Sequence, residues 1–97
     1  MTKMIRKGSL RIKCKECHTE HFFDGRDMVF DKSGVKEREG KLEKKWVSEI
    51  DFFCKCDTKI KVMTEVIEFP EGIAESIKYE NKNAELLSRP DISFLKI

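Results

Sequence analysis

The chain has 97 residues, the size of one domain, with 39% charged and 39% hydrophobic residues and a formal net charge of +2. That charge fraction is well above the ~25% of an ordinary domain, so the core is thin and a metal or other staple is expected to supplement it. A near-neutral balance gives no global pull toward nucleic acid or an anionic membrane. No segment approaches the ~18 continuous apolar residues of a membrane span, and no apolar stretch follows the basic N-terminus as a signal peptide requires.

In chain order, residues 1–8 are polar and basic and are expected to fray. Ser9 to Lys13 alternate, with Leu10 and Ile12 on one face, and predict a short strand running into Cys14. Cys14 to Glu20 reads as a metal-binding turn. Phe22-Phe23 reads as a return strand, closed by the turn signal Asp24-Gly25. Met28-Val29-Phe30 is another brief apolar run. Residues 35–45 are mostly charged and are split by Gly40, so they predict an exposed loop or hairpin tip.

Residues 46–53 predict a strand in which Trp46, Ile50 and Phe52 share a parity that Cys54 continues. Residues 58–69 give the clearest strand, rich in β-branched residues, with Ile60, Val62, Thr64 and Val66 on one face. The two form a hairpin with Cys54-Lys55-Cys56 at its tip. Pro70-Glu71-Gly72 ends it. Ile73, Ile77, Ala84 and Leu87 fall at loosely helical spacing and predict a short amphipathic helix over 73–87. Arg89-Pro90 breaks what precedes, and 88–97 is expected to be a peripheral tail.

Four cysteines carry most of the chemistry, as Cys14-x-x-Cys17 and, 36 residues on, Cys54-x-Cys56. Two close thiolate pairs are how proteins hold a tetrahedral Zn²⁺. A redox role for Cys14-x-x-Cys17 would want a helix N-terminus to lower the thiol pKa, and no helix is predicted there. A disulfide is disfavoured because the compartment expected for the chain is the reducing cytoplasm. His18 and His21 could each replace a cysteine, but four thiolates already fill a tetrahedron, so they are expected outside the ligand set. Four thiolates also leave no open position for catalysis, and no phosphate loop or nucleophile elbow is present.

In the segments Leu10-Arg11-Ile12-Lys13-Cys14-Lys15-Glu16-Cys17 and Phe52-Phe53-Cys54-Lys55-Cys56 the chain resembles the zinc-ribbon class of small Cys₄ proteins. The resemblance covers roughly residues 9–69. It implies a zinc site formed by Cys14, Cys17, Cys54 and Cys56 and a small antiparallel sheet. The chain departs from the class where His18 and Asp57 follow the second cysteine of each pair, since ribbon knuckles commonly place glycine there, and the second pair is one residue shorter.

The sequence thus predicts a single, mainly β domain over 1–97. Its expected function is that of a zinc-stabilised module without catalysis, serving as a protein-interaction adaptor or regulatory subunit. The alternative is a nucleic-acid-binding ribbon. That reading uses the basic N-terminal edge (Lys3, Arg6, Lys7, Arg11, Lys13 and Lys15, with no acid among residues 1–15), together with Lys55, Lys59, Lys61 and nearby aromatics.

Overall fold

A computed structural model describes residues 2–96. The strands are β1 (Thr2–Lys7), β2 (Ser9–Cys14), β3 (Glu20–Asp24), β4 (Asp31–Arg38), β5 (Lys41–Phe53), β6 (Lys59–Glu68), β7 (Ala74–Lys82), β8 (Ala84–Ser88) and β9 (Asp91–Lys96). Among the described residues the only helical segment is the 3₁₀ turn Gly25–Asp27, capped by the Asp24 carboxylate, which accepts from the Arg26 amide. No helix among these residues is long and apolar enough to cross a membrane. The protein is mainly β, as predicted.

All strand pairs are antiparallel. They form a four-stranded sheet in the order β4-β5-β6-β7, a three-stranded sheet β3-β2-β8 and a two-stranded ribbon β1-β9. The inner face of β6 is set by strict alternation: Ile60, Val62, Thr64, Val66 and Glu68 are buried, and the residues between them are more exposed. Ile60 and Val62 join Leu10, Ile12 and Ala84 in one core, against which Ile50, Phe52, Phe23, Tyr79 and Leu86 pack. That core lies between the small sheet and one half of the large sheet. Cys14 and Cys54 belong to it, so the cysteine cluster grows directly out of the packed interior.

The other half of the large sheet meets the ribbon. Trp46 lies beside Phe94, with ring centroids 6.5 Å apart. Glu68 is fully buried here. It accepts hydrogen bonds from Trp46 Nε1 at 3.0 Å, the Gly72 amide at 2.8 Å and Thr2 Oγ1 at 3.1 Å. Burial pushes its carboxyl up, but the Gly72 amide, the indole and the hydroxyl together outweigh burial and hold it below the ordinary glutamate value. One carboxylate therefore joins β1, β5, β6 and the turn that follows the cis Phe69-Pro70 bond.

The structure corrects two expectations. Residues 73–87 are strands β7 and β8, not a helix: Ile77 and Tyr79 are partly buried while Lys78 and Glu80 are exposed, a period of two. The left-handed Asn83 (φ 61°) then turns the chain from the large sheet into the small one. Within the segments 1–8 and 88–97, expected as fraying and peripheral tails, residues 2–7 and 91–96 pair with each other as β1 and β9, from Thr2 opposite Lys96 to Lys7 opposite Asp91, while Met1 and Ile97 lie outside the described residues. The charged tract 35–45 is the hairpin tip that was one of its two expected forms: Arg38 pairs with Lys41 across the two-residue turn Glu39-Gly40. Both turn residues have positive φ, 52° and 77°, the geometry of a type I′ hairpin turn. Met28-Val29-Phe30 is a connector in which Met28 is buried and Val29 exposed.

Candidate metal centre

Each cysteine pair sits in a tight turn between two antiparallel strands, β2 to β3 and β5 to β6. The two turns are built alike. In the first, the Cys14 amide donates to Thr19 O and the His18 amide to Cys14 O; in the second, the Cys54 amide donates to Thr58 O and the Asp57 amide to Cys54 O, all at 2.8–2.9 Å. His18 (φ 63°) and Asp57 (φ 71°) take the left-handed conformation at equivalent places. This is where ribbon knuckles put glycine, and histidine and aspartate are among the residues that adopt this region most readily. The missing residue in the second turn is absorbed by a shorter loop with the same hydrogen-bond pattern.

The turns bring the four sulfurs within 4.8 Å of one another, Cys14 and Cys54 buried and Cys17 and Cys56 exposed. Across the turns, Cys14 Sγ lies 3.7 Å from Cys56 Sγ and Cys17 Sγ 3.4 Å from Cys54 Sγ. These separations are far too long for a disulfide, in which sulfurs sit ~2.05 Å apart. They are close to the ~3.8 Å edge of a tetrahedron with metal–sulfur bonds of ~2.3 Å. Four cysteines arranged in this way could hold a metal ion.

The electrostatics favour thiolates at two of the four positions. The Thr19 hydroxyl, then the Thr19 amide, brings the Cys17 thiol down to about 6. The Cys17 amide, with help from that of Glu16, lowers Cys14 despite burial. Cys54 behaves oppositely. The Cys56 amide works to lower it, but burial and the neighbouring Cys17, Cys14 and Cys56 sulfurs outweigh that and push it up to about 11. A buried thiol crowded by others ionises readily only beside a cation, which is what a bound metal supplies.

Several surrounding groups were not singled out from the sequence. Thr19 Oγ1 and Thr58 Oγ1 each lie 3.1 Å from a sulfur, Cys17 and Cys56 respectively. The signal was present as a repeated triple, Cys17-His18-Thr19 and Cys56-Asp57-Thr58. Asn83 joins both turns: its carbonyl accepts from the Lys15 amide at 3.1 Å and its Nδ2 donates to Lys59 O at 2.8 Å. No local pattern marks it, because its partners are distant in sequence. Of the two histidines weighed as ligands, His21 lies at the cluster, with Nε2 3.2 Å from Cys54 Sγ and its ring edge-on to Phe52 at 4.8 Å. With its proton on Nε2 it donates to the sulfur. His18 serves the turn through its backbone.

The basic N-terminal edge is less free than the sequence suggests. Arg11 pairs with Glu20 from the neighbouring strand at 2.6 Å, and Arg6 donates to the Met28 carbonyl. Lys59 and Lys61, further along, face Asp51 and Glu49 at 3.6 Å each.

No protein-family model, curated protein or solved structure matches this chain.

Proposed function

We propose that the protein is a small zinc-stabilised binding module, a protein-interaction adaptor or regulatory subunit without catalysis. The observation that carries the reading is the convergence of Cys14, Cys17, Cys54 and Cys56 at tetrahedral spacing from two matched turns. Zinc is the ion that best suits four thiolates in this geometry. A tetrathiolate ion has no open coordination position, so its role is to hold β2–β3 against β5–β6 rather than to activate a substrate. A reducing compartment such as the cytoplasm keeps the four thiols available to it.

A protein partner suits the surface better than nucleic acid. Arg11, Lys59 and Lys61 each face a carboxylate across a strand pair. Such exposed pairs add little stability, but they cancel the positive field that phosphate would read. Large apolar side chains are meanwhile left in solvent, Phe22 and Phe53 each 67% exposed, and apolar surface of this kind suits protein contacts. The test is fluorescence anisotropy of labelled mixed-sequence single-stranded and duplex nucleic acid against the zinc-loaded protein, across a salt series, beside co-purification of the tagged chain. The reading expects weak, non-saturating nucleic-acid binding and one stoichiometric protein partner. Tight binding that falls steeply with salt would overturn it.

A further inference from the structure

The outer strand of the β4–β5 hairpin is bare. β4 ends the four-stranded sheet, and Asp31 to Glu37 are all exposed. Which of its backbone groups are free follows from the turn. Arg38 and Lys41 close a two-residue turn and so exchange hydrogen bonds. By alternation Lys36 and Gly34 also bond to β5, and the N–H and C=O groups of Glu37 and Val35 point to solvent. The register slips by one residue at Ser33, which is the extra residue of a bulge. Past it, Asp31 bonds to β5 opposite Val47, and Lys32 points outward. The free edge therefore offers Lys32, Val35 and Glu37 in step.

That set is complementary to itself. A twofold axis through Val35, perpendicular to the sheet, brings up a second copy with Lys32 opposite Glu37, Val35 opposite Val35 and Glu37 opposite Lys32. Each pair joins two outward-pointing residues, as an antiparallel ladder requires. A bulge ordinarily blunts an edge strand, but here the bulge of each copy falls opposite Lys36 of the other and the phase is kept. Lys32 and Glu37 have no ion-pair partner among the described residues. Asp31 falls opposite Arg38, which already holds Glu43 and Glu75, so no like charges meet. Sliding one repeat toward the turn would set Lys36 against Lys36. Val35, 49% exposed in the single chain, is covered on the axis.

We infer that β4 is an interface for a second copy of this chain, which adds antiparallel about Val35 and joins two four-stranded sheets into one. A second copy is the occupant because the order of charges along this edge reads as its own complement when reversed. The contact is one strand pair wide, so the dimer is weak and depends on concentration. This interface is separate from the cysteine turns and goes beyond the binding-module reading.

The test sediments the zinc-loaded full chain over a concentration series and compares ¹⁵N amide spectra at the lowest and highest concentrations. The expected result is a reversible monomer–dimer equilibrium, half-associated at or below ~1 mM, with amide shifts confined to residues around 31–38. Val35→Pro removes an N–H that the single chain leaves to solvent, a position where an edge strand accepts proline. It should keep the fold and abolish the dimer. Lys32→Glu and Glu37→Lys should each weaken association about tenfold, because each sets like charges opposite one another at both ends of the ladder. The double variant Lys32→Glu/Glu37→Lys should return it to near the wild-type value. A monomer throughout the series, a dimer indifferent to Val35→Pro, shifts on another face, or a double variant no better than either single would each overturn the assignment. A chain that stays monomeric yet co-purifies with one protein partner loses this interface and keeps the binding-module reading.

Discussion

Glu68 gives the sharpest test of how the ribbon end is held together. Truncating it to alanine removes the acceptor for the Trp46 indole, the Gly72 amide and the Thr2 hydroxyl at once. The Thr2 hydroxyl can turn to solvent, but the indole and the amide are partly enclosed. Leaving two such donors unpaired at ~1–3 kcal/mol each predicts a loss of about 2–6 kcal/mol. Glu68→Gln keeps one oxygen acceptor but sets an NH₂ against a donor, so it should cost less than alanine. The charge has a signature of its own. Because the folded carboxyl lies below the ordinary value of 4.5, its stabilisation is present above that value and is lost as pH falls through the lower folded one. Acid also strips metal from thiolates, so the quantity to compare is the difference between wild type and Glu68→Gln, measured by urea denaturation followed by circular dichroism. That difference should be largest at neutral pH and shrink on the acid side. A difference that stays flat from neutral to strongly acidic pH, or an alanine variant as stable as wild type, would refute the role assigned to the carboxylate.

Two predictions concern the cysteine turns. His21→Ala should keep the fold but weaken metal binding about 10- to 100-fold, the usual effect of losing a group that supports a ligand, whereas His18→Ala should leave affinity nearly unchanged; competition with a chromogenic chelator reads both, and equal effects would contradict the placement of His21 beside Cys54. Asn83→Ala should cost about 2 kcal/mol, combining a strained left-handed alanine with the lost bond to Lys59, and Asn83→Gly about 1 kcal/mol, since only the bond is lost; urea melts giving the reverse order would show that conformation is not what selects asparagine there.

Much of the fold could be read locally. The strands around the cysteines were visible because their partners are near in sequence and one face is fully buried: Leu10, Ile12 and Cys14 on β2, and Ile60 and Val62 on β6, give unbroken alternation. The four sulfurs meet as their spacing suggests. What escaped was non-local. Strands β1 and β9 pair across almost the whole chain, and a weakly alternating basic segment carries no sign of a partner so far away. The helix expected over 73–87 came from Ile73, Ile77, Ala84 and Leu87, but Ile73 and Leu87 are exposed, so the apparent stripe mixes inward and outward positions from two strands. Trp46, Thr64 and Val66 pointed to the inner face, and continuing that parity one step places Glu68 inside. Only the structure shows the three donors that make a buried carboxylate tolerable there.

The central claim is that one tetrathiolate zinc ion ties the two turns together. Zinc-edge X-ray absorption on purified, untagged protein tests it most directly. The account predicts one zinc per chain with four sulfur ligands at about 2.3 Å and no nitrogen in the first shell. A nitrogen ligand would move His21 into the coordination sphere in place of a cysteine, and a folded protein with no zinc bound would contradict the account outright.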